Sequence, residues 1–516
     1  MADKVSASPL PSPAIADDKR PSWPSSDEDS ASTKPARFSG RGLLAGLRRA
    51  EWQGVQPVPA ERRTNMAWTE PFSLWFSANL TIASLSLGTL GPLYYALDLR
   101  SCAGIIFGLN VLSCGIPAYL STFGPKTGLR QMAIARWSFG YIPVLLPTVF
   151  NMAGMIVFSM LNAIVGSSAL VEASSDRSLS IDAGIIIIAL CALLISFAGL
   201  RVLHAFEKFA WIPILITMII LAGCAGAHGK LADRGDEPVP TAANVLSFVS
   251  LIVGWSLSWS PLASDFFAYH SPAIPSWKIF LSTFFGLYLS CAPTQFLGAA
   301  LIAAAPQNQA WEDGFTANGV GGLIGGVFAD AGLGNFGKFL LVLFGLGMIT
   351  NNAPTIYAWS LNAQVLVPWL VAVPRFVFCV IATAIYLPLA VVGASAFYAT
   401  LNSFAGILSY WSAILVGILA VEHLIIRHGD FSSYDPADYM SLRRLPPGIA
   451  AFVTSIATGA ALTTGMDQVW YRGPIAQAIS GPDATAGGDV GFELALVIAP
   501  VLYLPLRLLE RRVFRR

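Results

Sequence analysis

The sequence predicts an all-α integral membrane protein with twelve transmembrane helices. Three observations carry that expectation. Of the 516 residues, 55% are hydrophobic and 12% are charged, against about 25% charged in soluble domains. The mean hydropathy is +0.62. From Phe72 onward the apolar residues fall into stretches long enough to cross a hydrocarbon core, which takes about 20 residues each. The net charge of +1 leaves no basic footprint for nucleic acid. Cys102, Cys114, Cys191, Cys224, Cys291 and Cys379 lie in apolar stretches without a CxxC pair, and read as small apolar fillers. The five histidines fall at helix ends and loops. A membrane enzyme would need clustered His, Asp or Glu at depth, so no enzyme, metal or cofactor is expected.

Taken in order, residues 1–66 come first. They are rich in Pro, Ser, Ala and charge, and predict a disordered cytosolic tail. No charged region followed by an apolar one marks a secretory signal. "SSDEDS" (26–31), with Lys19 and Lys34, suits phosphorylation and ubiquitination; an inert solvated tail fits equally well. The predicted spans are 72–97, 102–122, 142–171, 184–200, 209–227, 243–268, 278–305, 336–360, 372–393, 397–421, 447–464 and 490–508. Residues 67–424 form a ten-helix core. Residues 425–510 hold a cytosolic loop and two extra C-terminal helices, and 511–516 a basic tail. Lys and Arg concentrate on one side: Arg62, Arg63, Lys126, Arg130, Arg136, Arg201, Lys208, Lys278, Arg427, Arg443, Arg444 and the terminal "RLLERRVFRR". That bias places both termini in the cytosol.

Spans 1 and 6 are interrupted at membrane depth. Span 1 reads "SLWFSANLTIASLSLGTLGP", with Asn79, Ser84, Ser86, Gly88 and Gly91; span 6 reads "VGWSLSWSPLASDF". Matching interruptions five helices apart point to inverted repeats whose unwound backbone lines a midplane site. A simple proline kink at Pro261 is the alternative reading. Polar groups gather in three further spans. Span 3 carries Asn151, Phe158, Ser159 and Asn162, with Phe158 and Asn162 one turn apart. Span 8 carries Thr350, Asn351, Asn352, Thr355 and Tyr357 around Pro354, and span 10 carries Asn402, Ser403 and Tyr410. Amides read hydrogen-bonding edges without charge, and aromatic faces stack on flat rings. A neutral planar heterocycle suits that set: Phe158 and Trp259 as faces, Asn162, Asn351 and Asn352 at the edge. Asp265 is the acid well inside a span, a functional candidate by default; capping a helix or pairing with a loop cation fits it as well. Glu207 and Lys208 read as a local pair at a helix start.

These stretches resemble the nucleobase–cation symport family 1, and within it the fungal purine–cytosine permeases. The markers are "WFSANLTIASLSLGTLGP" (75–92), "FGPKTGLRQMAIARWSFGY" (123–141), "HAFEKFAWIP" (204–213), "SWSPLASDFFAY" (258–269) and "NNAPTIYAWSLNAQ" (351–364). The resemblance implies a five-plus-five inverted-repeat transporter core with discontinuous helices 1 and 6. It implies a nucleobase held between Phe158 and Trp259, with Ser84, Asn162 and the span-8 residues Asn351, Asn352 and Thr355 at its edge. Thr350, Pro354 and Asp265 are the gating and coupling candidates. Two departures bear on substrate: the span-3 aromatic is often Trp and is Phe158 here, and Pro354 is usually followed by Asn and is followed by Thr355 here. Bacterial relatives bind sodium with a pair of span-8 hydroxyls; Ile349 stands beside Thr350 where the second is expected, and fungal members generally use protons. The expected function is therefore proton symport of cytosine and purines such as adenine, guanine and hypoxanthine at the plasma membrane. Alternatives are another heterocycle (pyridoxine, uracil, allantoin or thiamine) and a nutrient receptor that does not transport.

Overall fold

The protein is described by a computed structural model, covering residues 54–174, 178–227, 240–366, 368–480 and 488–515. The modification motif at 26–31, Lys19, Lys34 and Arg177 lie outside the described residues. Residues 54–66 correct the expected tail boundary. Val55 and Val58 are buried, and Val55 N–H donates to Gln364 Oε1 at 3.0 Å. Two apolar anchors and a paired backbone tie this stretch to the core.

The described chain is helical apart from a two-residue hairpin, Asp467–Gln468 with Tyr471–Arg472. In order the α-helices are α1 (Glu70–Asn79), α2 (Ile82–Tyr95), α3 (Leu99–Ser121), α4 (Phe123–Thr127), α5 (Gln131–Phe139), α6 (Leu145–Ala173), α7 (Ile181–Ala198), α8 (Leu200–Gly226) and α9 (Ala242–Leu257). They continue with α10 (Ser276–Ala304), α11 (Gln309–Asp330), α12 (Gly334–Gly347), α13 (Ile349–Leu366), α14 (Arg375–Gly393), α15 (Phe397–Ala420), α16 (Ile449–Leu462), α17 (Pro474–Ser480) and α18 (Gly491–Phe514). Among the described residues, nine stretches are long and apolar enough to cross a membrane. One of them, Arg375–Ile426, runs 52 residues and takes in two predicted spans. The first predicted span is split into α1 and α2, and α16 is a shorter apolar helix.

Polarity is inverted relative to a soluble protein. Leu112, Leu194, Ile219, Val392 and Val501 stand exposed on outer faces, while Asn79, Ser84, Asn162, Asn352 and Gln295 are fully enclosed. Outer apolar walls of this extent suit lipid, and the buried amides bond one another, as a medium without water requires. The helices pack as two groups. In one, α10 packs on α1, α2 and α3, and α9 on α3. In the other, α6 packs on α7, α12 and α13, and α14 on α7 and α13. Between α2 and α10 the approach is close: a Cβ on Gly88 would meet the Gln295 carbonyl oxygen at 1.8 Å. Gly88 therefore serves helix packing, and the interruption read from it lies elsewhere, at Leu80–Thr81.

The basic stretch 123–141 folds as α4 and α5, tucked against the core. Lys126 Nζ donates to the carbonyls of Pro272 (2.7 Å) and Ile274 (3.0 Å), and Arg136 to Tyr439 O at 2.8 Å. Cations counted in the charge bias thus also bind loops. The C-terminal pair α16 and α18 joins through α15. There, Glu422 is ion-paired to Arg427 at 3.0 Å and to Arg507 at 2.9 Å, and accepts the Tyr503 hydroxyl at 2.8 Å.

Candidate functional site

Both helix breaks follow from local sequence. The last turn of α1 leaves four carbonyls without helical donors, and each finds one. Leu80 N–H bonds Phe76 O. Thr350 Oγ1 donates to Ser77 O at 2.8 Å and Asn351 Nδ2 to Ala78 O at 2.6 Å. Ser84 Oγ donates to Asn79 O at 2.6 Å. Thr81 is extended and caps α2, accepting from Ser84 N, as Thr does at an N-cap. In span 6 the α-helix stops at Leu257. Pro261 has no N–H to continue the ladder and sits in a 3₁₀ turn, Ser260–Leu262. Residues 263–269 follow as turns, so the expected second half-helix is largely non-helical. Simple kinking is thereby replaced by an open break.

The two breaks meet. Asn79 Oδ1 accepts both indole N–H groups of span 6, from Trp255 at 3.2 Å and Trp259 at 3.0 Å. The edge of Trp259 lies on Trp75, with ring centroids 5.1 Å apart. From the opposite helix group, Asn162 Nδ2 donates to Asn351 Oδ1 at 2.7 Å and Asn352 Oδ1 at 3.1 Å. Asn352 Nδ2 reaches Ser159 O at 3.2 Å, and Thr355 Oγ1 returns to Asn351 O at 2.7 Å. Pro354 removes the N–H that would have bonded the Thr350 carbonyl. One amide cluster, on α6 and α13, thus grips the broken helix of the facing group.

A cavity opens beside this cluster, lined by Asn151, Phe158, Ser258, Trp259, Thr355 and Trp411 with apolar neighbours. About 20 Å³ of it is open to the centre of a water-sized sphere, room for about one water and less than a heterocycle needs. Of the sequence candidates, Phe158, Trp259 and Thr355 face this cavity. Asn162, Asn351 and Asn352 form the network behind it. Ser84 and Thr350 spend their hydroxyls on α1 carbonyls. Phe158 meets Trp255 and Phe404 edge-on, at 5.4 and 5.7 Å.

Asp265 lies apart from the cavity. Its Oδ1 accepts from Gln131 N at 2.7 Å, at the start of α5, and the Arg130 guanidinium donates to its carbonyl. The carboxylate caps a loop helix; pairing with a loop cation and a coupling role were the other readings of it. Asp265→Asn keeps an acceptor at Oδ1, and uptake should stay within about 2-fold of wild type. Asp265→Ala loses the cap, which costs about 0.5–2 kcal/mol, and should lower the thermal midpoint. An Asn variant with uptake abolished at normal surface abundance would contradict the capping role.

Sequence reading gave four groups no role at the site. Asn79 and Asn151 stood among the polar residues of spans 1 and 3, and Ser258 among the serines of span 6. Glu207 was read as a local partner of Lys208 at a helix start, yet it is 1% exposed and lies within α8. Its signal was present: Leu203, Glu207, Ile214, Met218 and Leu221 fall on one helical stripe, all buried.

Two helix groups closed around a pair of broken helices, with an uncharged polar joint and lipid-facing walls, define a solute carrier. Solved structures share the fold. Mhp1, titled a nucleobase-cation-symport-1 family transporter in a closed conformation with bromovinylhydantoin bound, aligns at TM-score 0.64 and 14% identity, over 89% of this chain and 96% of that one. Its inward-facing form aligns at 0.62 and 15% identity, over 90% and 96%. The family described as permease for cytosine/purines, uracil, thiamine, allantoin matches residues 57–477. A purine-cytosine permease of Emericella nidulans is 34% identical over 478 residues, 92% of this chain and 91% of the relative. One from Saccharomyces cerevisiae is 33% identical over 494 residues, 95% and 91%. A vitamin B6 transporter of the same yeast is 26% identical, covering 90% and 88%. The chain belongs to this permease family, in its fungal purine–cytosine permease branch. That membership makes it a carrier and not an enzyme.

Proposed function

We propose that this protein imports nucleobases, cytosine and purines such as adenine, guanine and hypoxanthine, by proton symport across the plasma membrane. Its twelve spans leave both termini in the cytosol. The observation that carries the reading is the uncharged joint: the Asn162–Asn351–Asn352 cluster bonded to the broken helix, next to a cavity walled by Phe158 and Trp259. A neutral planar base needs an aromatic face and amide edges, and no counter-charge. Phe158 and Trp259 stack on it, Thr355 and Asn162 read its edge, and Asn351 and Asn352 hold the reader in place. Ser84 and Thr350 act through the α1 carbonyls that they bond. Because the cavity is narrower than the substrate, binding requires the two helix groups to separate at this joint. A vitamin B6 ring is the second reading, favoured by Phe158 and Thr355 on the cavity wall, both departures from the branch pattern.

The test is uptake of radiolabelled cytosine in yeast lacking its own nucleobase permeases. Saturable uptake, abolished by a protonophore and competed by adenine and hypoxanthine, is the expected result. No cytosine uptake from protein at the surface, together with saturable uptake of labelled pyridoxine, would transfer the site to the vitamin.

A further inference from the structure

Glu207 lies in α8, which packs on α1. Both of its carboxyl oxygens are buried and neither has a hydrogen bond of normal geometry. The polar side chain in its reach is Ser77, whose hydroxyl is likewise buried and unbonded. Ser77 is two residues from the end of α1. Its carbonyl accepts from Thr350, and the next carbonyl from Asn351. The carboxyl therefore sits against the piece of backbone that the amide cluster grips.

Among the described residues no counter-charge faces it. On the elements packed against α8 the ionisable groups are Glu70 (α1), Asp182 and Cys191 (α7), Lys278, Tyr288 and Cys291 (α10), Glu312, Asp313 and Asp330 (α11), Lys338 (α12) and Tyr357 (α13); on α8 itself they are Arg201, His204, Lys208 and Cys224. None exerts a charge interaction on Glu207. Three titratable groups cluster at the Glu70 end of α1. His204 is one turn back, its Nε2 3.1 Å from Phe266 O. Its ring lies 6.3 Å from that of His270, and His270 Nε2 is 3.4 Å from Glu70, whose side chain is 29% exposed.

We infer that Glu207 is the proton-binding group that couples proton movement to substrate movement, acting through Ser77 on the break between α1 and α2. The inference rests on the symport reading above. A bare carboxylate without water or partner is strongly disfavoured inside a membrane. The neutral acid suits the closed site, with its O–H free to turn to Ser77 Oγ. When the helix groups part, water reaches the carboxyl. The O–H bond breaks, the proton passes by His204 and the Glu70–His270 pair to bulk water, and the carboxylate left behind favours the hydrated open state. Substrate release and proton release then select the same conformation, and net symport requires that the emptied carrier return with the carboxylate ionised and hydrated.

The test uses purified full-length protein in proteoliposomes with a trapped pH dye and radiolabelled cytosine. Glu207→Gln, which fixes a neutral group, is expected to keep cytosine counterflow at wild-type concentration dependence. It should lose proton influx, and accumulation driven by an imposed pH gradient should fall to unity. Glu207→Asp is the second variant: it keeps drive and displaces the pH profile of uptake. Gradient-driven accumulation retained by Glu207→Gln overturns this assignment alone. Loss of counterflow together with drive in that variant assigns Glu207 a structural role and overturns it as well. An unchanged pH profile in Glu207→Asp counts against it too. Absence of proton drive in the wild type overturns the symport reading and this assignment together.

Discussion

Trp259→Ala is expected to raise the KM for the transported base roughly 10- to 100-fold, since stacking on an aromatic contributes ~1–3 kcal/mol per base. Two losses combine in that variant. The cavity loses a wall, and Asn79 Oδ1 loses one of its two indole donors while keeping Trp255. Trp259→Phe separates them: it retains a face and lacks the N–H. If stacking dominates, the Phe variant keeps a KM within about 5-fold of wild type. If the Asn79 tie dominates, both variants fail alike and the fault appears as instability in detergent. Surface abundance, read from a fluorescent fusion, normalises each rate. An unchanged KM in the Ala variant at normal abundance would remove Trp259 from the site.

The amide cluster carries the second large effect. Asn162→Ala should reduce uptake at least ~100-fold, because it removes an edge-reading amide and leaves two buried acceptors, Asn351 Oδ1 and Asn352 Oδ1, without their donor. Each stranded buried acceptor costs about 1–3 kcal/mol. Asn351→Ala strands the Ala78 carbonyl on the broken helix instead. Since both belong to one network, the double variant should lose much less than the product of the single losses. Uptake and thermal midpoints for the four proteins of this cycle decide the matter. Strictly multiplicative losses would mean that the two amides act independently, and the joint would then be a coincidence of packing.

Much of the fold was legible because hydrocarbon leaves a strong imprint. Each predicted span overlaps helix, nine stretches among the described residues are long and apolar enough to cross a membrane, and breaks in spans 1 and 6 were anticipated from polar residues at depth, though not that span 6 would continue as turns. Where the readings slipped, the cause was a group whose meaning depends on a distant partner. Gly88 looked like part of the break, yet it is a contact with Gln295, far away in sequence. Residues 54–66 looked like more tail until Gln364 and Gly128 supplied backbone partners. Asp265 had two structural readings and one functional one, and a loop helix in the first half of the chain chose among them.

Composition and apolar periodicity by themselves determined that this is a multi-span helical protein, and the polar interruptions of spans 1 and 6 determined which of its helices open. Both are local matters: a backbone without water must form helices, and a proline or a capping hydroxyl ends one wherever it stands. Tertiary structure alone decided that Asn79 would hold two tryptophans, that the three asparagines would form one cluster against α1, and that Glu207 would be sealed beside Ser77. Those are relations between helices more than a hundred residues apart, and side-chain spacing within one helix carries no information about which partner it will meet.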